Sequence, residues 1–240
     1  MGEIPKGHTK GRMAMILAIL AVVMLLAPDT YASSAEQNAA QRIVDAAQIT
    51  LKDFMRNSKN VSLRANLDHA MGVLIFPRIV QGGFLLGGSR GTGVFLVRDQ
   101  RTGNWSHPAF LTMNSVSLGL QLGGGVAEVV ILVMNREALD SLFVACYTLG
   151  GNVSIALGSK GAGFDRGRSL PLVVGKFISF AKSKGLYAGL NLTGSFIVER
   201  EGLERAYYGM ITWLEDIVLM DRVSNQGAAG LRETLKSGDH

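Results

Sequence analysis

The sequence predicts an α+β fold, in which N-terminal helices pack on a strongly curved antiparallel β-sheet or barrel-like sandwich and one further helix is inserted between strands. Three observations predict this class. Residues 34–60 repeat apolar side chains at helical spacing. Residues 72–97 consist of short apolar segments divided by glycines, each of which disfavours a helix interior by roughly 1 kcal/mol. The connections that follow are too short for the crossovers of a parallel sheet.

The first 32 residues have the pattern of a secretory signal peptide. Lys6, Lys10 and Arg12 precede an apolar run over residues 13–27, and small residues end the segment at Ala32. The run is shorter than the roughly 20 residues that cross a bilayer as a helix. We therefore expect cleavage after Ala32, with Ala35 as the second choice and an uncleaved N-terminal anchor as the alternative. The expected product is periplasmic or otherwise exported, and associates with a membrane peripherally.

The rest of the chain, residues 33–240, is predicted to be a single domain. It divides into a helical cover over residues 34–70, a sheet over residues 72–200, and a tail with a last helix over residues 201–240. The one cysteine, Cys146, cannot form an internal disulfide, so the core alone must stabilise the fold. Without the leader, 21 basic and 17 acidic side chains remain. This mild positive charge suits an anionic surface but lacks the dense basic stripe of a nucleic-acid-binding protein.

The helix predicted over residues 34–60 has two distinct faces. Ile43, Ala47 and Leu51 lie on its apolar face, and basic residues such as Lys52 lie on the opposite face. Two interpretations remain open. An amphipathic helix of this kind lies on a membrane surface, whereas an ordinary helix covers a sheet and keeps its charges in water. The two are compatible if only the basic edge meets lipid.

Strands are predicted to follow one another through the middle of the chain, after a short second helix over residues 64–70. Each is an apolar or alternating segment, and glycine-rich or polar turns separate them. Connections this short are expected to join antiparallel neighbours. The predicted strands span residues 72–76, 83–87, 91–98, 105–113, 115–122 and 126–134.

The second half of the chain is predicted to add the inserted helix and to complete the sheet. Asn135 is a good N-cap for that helix. A polar glycine-rich loop and a closing hairpin follow. The predicted elements are a helix over residues 136–148, strands over 152–157, 174–182 and 186–199, and a C-terminal helix over 228–236.

A series of glycine-rich motifs occurs along the chain in a fixed order. It begins with Gly82-Gly-Phe-Leu-Leu-Gly-Gly-Ser-Arg-Gly-Thr-Gly-Val94. The motifs that follow are Gly103-Asn-Trp-Ser106, Leu120-Gln-Leu-Gly123, Leu149-Gly-Gly-Asn152, Ser183-Lys-Gly-Leu-Tyr-Ala-Gly189 and Tyr207-Tyr-Gly209. In their order and spacing these motifs resemble the SYLF domain, also called the Ysc84 actin-binding domain. The resemblance covers residues 34–236.

The resemblance implies lipid binding rather than catalysis. Eukaryotic members of the family bind phosphoinositide membranes through the SYLF domain and an amphipathic N-terminal helix, and some bind actin filaments. The predicted export argues against actin as a partner of this chain, and it favours an anionic bacterial phospholipid such as phosphatidylglycerol or cardiolipin. Gln81 stands where the family often carries lysine, which removes one candidate headgroup contact.

One motif is typical of a hydrolase. Gly87-Gly-Ser-Arg-Gly91 matches G-x-S-x-G, but that nucleophile elbow needs a strand, a sharp turn and a helix. Residues 92–97 continue as a strand pattern instead, so we do not expect Ser89 to be catalytic. No loop has the phosphate-binding pattern G-x-x-x-x-G-K-[ST], and no Cys, His, Asp or Glu group has metal-ligand spacing. We expect no enzyme activity, no cofactor and no metal.

Basic side chains near predicted turns and helix ends are the candidate lipid-binding residues. Each Lys or Arg close to an anionic membrane contributes about 1 kcal/mol, so several together would hold the protein at the surface. The candidates are Arg56, Lys59, Arg64, Arg78, Arg90, Lys160, Lys182 and Lys184. We predict peripheral binding of anionic phospholipid membranes in the cell envelope. The alternatives are a structural or protein-interaction module of the envelope, and a lipid carrier with an internal apolar cavity.

Overall fold

The fold is α+β, as the sequence predicts. A computed structural model describes residues 30–57, 60–83, 86–118, 123–143, 147–149, 172–174, 177–185 and 195–237. Within these ranges, six α-helices accompany one sheet of eight strands. The strands are β1 (Gly72–Gly83), β2 (Leu86–Val97), β3 (Ala109–Leu118), β4 (Gly123–Val133), β5 (Tyr147–Leu149), β6 (Leu172–Val174), β7 (Phe177–Gly185) and β8 (Ser195–Glu199).

The strands are ordered β5-β8-β3-β2-β1-β4-β7-β6, and every neighbouring pair is antiparallel. The antiparallel prediction is therefore confirmed. Through the described residues the sheet is not closed into a barrel, because its two edge strands, β5 and β6, each pair with a single neighbour.

The prediction that short connections join neighbouring strands is wrong at two places. β4 pairs with β1 and β7 rather than with β3. β7 and β8, predicted as a hairpin, lie in opposite halves of the sheet. The connection between them comprises residues 186–194.

Strands β1 and β2 are longer than predicted. Three short strands were expected between residues 72 and 98, but each of these two strands has 12 residues and runs through its glycines. An irregularity in register between Phe76 and Ile79 coincides with Pro77, which has no N–H to donate to a ladder. Gly93 allows the strands to approach closely there, since a Cβ at this position would lie 2.2 Å from the carbonyl oxygen of Ile75.

The six helices are α1 (Thr30–Arg56), α2 (Val61–Leu67), α3 (Arg136–Ser141), α4 (Glu201–Tyr208), α5 (Leu214–Val218) and α6 (Ala229–Lys236). Residues 1–29 of the predicted signal peptide and the predicted strand 152–157 lie outside the described ranges. None of the helices in the described part is long and apolar enough to cross a membrane.

The predicted helices after the first strands are correct in place but not in extent. Asn135 caps α3, where its side chain accepts a 2.9 Å hydrogen bond from the backbone N–H of Ala138. The expected continuation of this helix to residue 148 is wrong, because β5 begins at Tyr147. The C-terminal helix is confirmed as α6. Helices α4 and α5 lie in the stretch for which the sequence predicts only a tail before the last helix.

Apolar side chains fill both faces of the sheet. On one face, α1, α2, α4 and α6 pack over strand residues such as Val73, Val94 and Val130. On the other face, α3 and α5 pack over residues such as Leu74 and Phe95. The sheet is therefore the middle layer of the fold, and its two sides have separate cores.

Candidate lipid-binding surface

Helix α1 covers the sheet with its apolar face. Val44, Ala47, Leu51 and Phe54 are at most 2% exposed and belong to the core beneath the helix. The C-terminal helix α6 lies beside α1 over the same core, and Gln48 donates a 3.3 Å hydrogen bond to the hydroxyl of Thr234. This burial favours the interpretation of α1 as a covering helix, because the apolar face is not available to a membrane.

The helical cover extends over only part of its sheet face. In β2, Val94 and Leu96 are buried under the helices, whereas Arg90, on the same face of the strand, is exposed. In the neighbouring strand β1, Val80 pairs with Arg90 and is 49% exposed. One face of the sheet thus changes from a packed core to an open surface within one strand.

We call this open surface the open sheet face and define it by Arg78, Val80, Arg90, Glu128 and Lys182. Val80 lies between Arg90 on β2 and Val126 on β4, and Glu128, two residues further along β4, pairs with Lys182 on β7. Paired residues point to the same side of a sheet, as do residues two apart. Arg78 is exposed in the irregular part of β1, just before Ile79.

The open sheet face has an excess of positive charge. Lys182 is paired with the one acidic residue of the defined set, since its Nζ lies 3.6 Å from Oε2 of Glu128. The structure adds Arg200 to this face, since its Nη1 donates a 3.4 Å hydrogen bond to the hydroxyl of Thr112, which pairs with Thr92 on β2. Sequence reasoning missed Arg200, which follows the last strand and has no motif to mark it.

The other predicted lipid-binding residues are not on this face or are not described. Arg56 is exposed in the last turn of α1. Arg64 is half-buried and donates a hydrogen bond to the carbonyl oxygen of Met55, which ties α2 to α1. Lys59 and Lys160 lie outside the described residues, and Lys184 is placed in β7 by its backbone only. The structure thus brings together three of the eight candidates, Arg78, Arg90 and Lys182.

Ser89 does not have the geometry of a nucleophile elbow. It lies inside β2, and the strand continues for eight residues beyond it to Val97. Its hydroxyl is 2.6 Å from the hydroxyl of Ser115 on the antiparallel neighbour β3. An elbow requires a sharp turn into a helix directly after the serine. Nor do the described residues contain a group of three or more His, Cys, Asp or Glu side chains that could hold a metal ion.

An open groove of about 490 Å³ lies next to Val97, the last residue of β2. Its lining includes Trp105 and Leu139 but also Arg98, Asp99 and Asp221. A carrier of apolar lipid would need an enclosed apolar cavity. This groove is half polar and open, so it gives the carrier alternative no support.

Several groups with a shifted pKa lie among the C-terminal helices and β3. Burial raises the pKa of Tyr207 and of Tyr208, and it lowers the pKa of His107. Burial also raises the pKa of Glu204 to about 9. Each of these side chains packs among the C-terminal helices and β3, where it contributes to the fold rather than to a surface.

The chain matches a known family over more than half of its length. Residues 114–238 match the family model Ysc84, described as "Las17-binding protein actin regulator". The chain belongs to the Ysc84 family. This finding confirms the resemblance to the SYLF domain that the glycine motifs indicated.

Relatives of this Ysc84-family chain occur in fungi and mammals. LAS seventeen-binding protein 3 of Saccharomyces cerevisiae is 34% identical over 145 residues, which are 60% of this chain and 31% of the yeast protein. SH3 domain-containing YSC84-like protein 1 of Bos taurus is 29% identical over 205 residues, which are 85% of this chain and 58% of the bovine protein. The chain thus spans about a third to three fifths of the length of these relatives. No solved structure matches it.

Proposed function

We propose that this Ysc84-family chain is an exported, non-enzymatic protein that binds anionic phospholipid membranes peripherally through its open sheet face. The observation that carries the proposal is that Arg78, Arg90, Lys182 and Arg200 lie on the same side of the sheet as the exposed side chain of Val80. Only Glu128 opposes their charge within this group. A surface of this kind attracts an anionic lipid layer and offers it a small apolar contact.

The strength of the proposed contact follows from its charges. Each Lys or Arg near an anionic surface contributes about 1 kcal/mol, and the ion pair with Glu128 reduces the contribution of Lys182. About three effective charges therefore contribute about 3 kcal/mol. This raises the affinity for an anionic membrane on the order of a hundredfold over that for a neutral one. Because the charges are exposed, salt must weaken the contact.

The test is sedimentation with vesicles of phosphatidylcholine that contain increasing fractions of phosphatidylglycerol, at low and high salt. It uses the chain from Ser33 onward, so that the N-terminal apolar run does not itself bind lipid. The variant Arg78→Glu/Arg90→Glu reverses two charges of the open sheet face. We expect it to weaken binding to anionic vesicles at least tenfold.

The matched control is Arg101→Glu/Arg136→Glu, which makes the same change of charge at two exposed positions away from this face. Equal recovery of the unmodified chain with neutral and anionic vesicles would refute the proposal. An equal loss of binding in both double variants would show that only the net charge matters and that the open sheet face is not the site.

A second candidate function is protein binding, as in the relatives named for Las17. The observation that favours it is the family match itself, which carries the description of an actin regulator. Cosedimentation with actin filaments, and capture of partners from envelope extracts, would test this candidate. Binding in either assay together with no recovery on vesicles would favour it over the membrane proposal.

A further inference from the structure

A second unusual surface lies at the far end of the chain. Nine large apolar side chains among the described residues are exposed, and five of them fall within residues 210–220. We call these five the apolar ledge. They are Met210, Ile211, Trp213, Leu219 and Met220, with exposed fractions of 53%, 73%, 58%, 43% and 58%.

The fold holds the apolar ledge in place. Leu214, Ile217 and Val218, on the inner side of α5, are buried in the core on the α5 side of the sheet. Gly209 ends α4 in the left-handed region with a φ of 73°, and Asp221 follows the ledge with a φ of 49°. The chain therefore turns sharply before and after α5. The apolar residues next to these turns stay in solvent because the core holds the helix between them.

The charges around the apolar ledge do not favour an anionic partner. Residues 209–214 and 217–220 carry no charged side chain. Arg222 is paired with Asp216 at 2.7 Å, and the remaining charged neighbours include Glu215 and Asp221 as well as Arg205. The ledge thus consists of two uncharged turns with mixed charges beside them. Its contact with a partner has to be apolar rather than electrostatic.

The size of the apolar ledge favours lipid over a protein partner. With roughly 200 Å² for a large side chain, five side chains that are about half exposed offer on the order of 500 Å². A stable protein interface buries about 800 Å² on each partner. Insertion into the boundary between headgroups and acyl chains needs no matching surface, and it reaches only about 5–10 Å deep. Tryptophan prefers that boundary, because its ring is apolar and its N–H is polar.

We infer that the apolar ledge inserts into the headgroup–acyl boundary of a phospholipid bilayer, with Trp213 as its anchor and without dependence on headgroup charge. This inference rests on the proposed membrane function and adds a second contact to it. Helix α5 packs against β2 and β3. Leu214 and Val218 of α5 belong to the core on one side of the sheet, whereas Arg90 lies on the opposite side with Val94. Ile211 and Trp213 lie beside Glu201 and Arg205 of α4. Variants at Arg78 and Arg90 change no residue of the ledge, so the two contacts can be tested separately.

The experiment measures quenching of tryptophan fluorescence by lipids that carry bromine on their acyl chains. The chain has two tryptophans, of which Trp105 is 1% exposed and Trp213 is 58% exposed, so Trp105 is an internal reference. The full chain is mixed with vesicles of brominated phosphatidylcholine, with and without phosphatidylglycerol, at low and high salt. We expect quenching in all four conditions, and Trp213→Phe should abolish it.

Two variants test whether the ledge side chains drive insertion. Ile211→Ser/Met220→Ser retains Trp213 as the reporter, and we expect it to require about tenfold more lipid for half-maximal quenching. The control is Ile49→Ser, which replaces an apolar side chain that is 62% exposed on α1, and it should leave the quenching unchanged. The N-terminal apolar run is present in every variant and contributes equally to each.

The outcomes separate the ledge from the open sheet face. Sedimentation with anionic vesicles but no quenching of Trp213 would overturn the ledge and leave the electrostatic proposal standing. If Trp213 is quenched only with phosphatidylglycerol and not at high salt, the inference that the ledge inserts independently of headgroup charge is wrong. Self-association that Ile211→Ser/Met220→Ser abolishes, without quenching, would make the ledge a protein interface and would also overturn the inference. Full quenching of Trp213 on neutral vesicles in the Arg78→Glu/Arg90→Glu variant would show that the ledge inserts without the basic residues of the open sheet face.

Discussion

The carboxyl group of Glu204 lies beside that of Glu199, where α4 packs next to the end of β8, and the two groups influence each other's pKa. Glu204 is fully buried, and its Oε1 accepts a 3.1 Å hydrogen bond from the backbone N–H of Phe110. Burial and then the contact with Glu199 raise the pKa of Glu204 to about 9, and burial raises the pKa of Glu199. Glu204 is therefore neutral at pH 7.

This pair predicts that the stability of the fold decreases as the pH rises. The unfolded chain loses the proton of Glu204 near its ordinary pKa of 4.5, whereas the folded chain keeps it to about 9. Between these values the folded state binds more protons, so the free energy of unfolding falls with pH by up to about 1.4 kcal/mol per unit. Glu204→Gln keeps an acceptor for Phe110 and removes the titration. Urea unfolding at pH 6 and pH 8 should show a much smaller difference in this variant.

The control for this prediction is Glu201→Gln, because Glu201 is exposed in the first turn of the same helix, α4. This variant should keep the dependence of stability on pH. If Glu204→Gln has the same slope as the unmodified chain between pH 6 and pH 8, Glu204 is not the buried acid that the structure indicates.

Gly93→Ala is expected to destabilise the protein. The added Cβ would lie 2.2 Å from the carbonyl oxygen of Ile75 and 2.7 Å from the ring of Phe76, so the backbones of β1 and β2 would have to separate. We expect a loss of about 3 kcal/mol in the free energy of unfolding, measured in urea.

Gly202→Ala is the matched control for this substitution. Gly202 lies in α4, and no atom within 4 Å would meet its Cβ. Alanine is favoured over glycine in a helix interior by roughly 1 kcal/mol. Gly202→Ala should therefore raise stability by up to this amount. A neutral effect of Gly93→Ala would show that β1 and β2 do not approach as closely as the structure has them.

Much of the fold follows from local sequence patterns. The spacing of apolar residues in α1 identifies its buried face, Asn135 identifies the start of α3, and the short apolar segments after Gly72 identify antiparallel strands. These features depend on neighbours within a few residues. Local patterns therefore predict them correctly, even where the exact ends differ by several residues.

The order of the strands does not follow from local patterns. β7 alternates in the same way whether it pairs with β8, as predicted, or with β4, as observed. The choice depends on which strands bury each other's side chains across the whole sheet. The same limit applies to the open sheet face. The sequence places Arg78, Arg90 and Lys182 near three different predicted turns. Their shared surface follows only from the pairing of the four strands β2, β1, β4 and β7.

His107 is expected to destabilise the fold at acidic pH, in the opposite direction to Glu204. Burial, and then the charge of Arg232, lower the pKa of His107 from its ordinary value of 6.5, while Asp221 partly opposes the shift. Nη1 of Arg232 lies 3.2 Å from Nε2 of the ring. Below pH 6.5 the unfolded chain takes up a proton that the folded chain resists, so stability is lost as the pH falls.

The effect of His107 on the pH dependence of the free energy of unfolding is best measured in the Glu204→Gln variant. There the buried carboxyl pair no longer raises stability toward acidic pH. There, unfolding in urea between pH 5 and pH 7 should show stability that decreases with acidity, and His107→Gln should reduce this decrease. His69→Gln is the control, because His69 is exposed at the end of α2. Loss of the slope in His69→Gln, or its persistence in His107→Gln, would show that His107 is not the group whose protonation opposes folding.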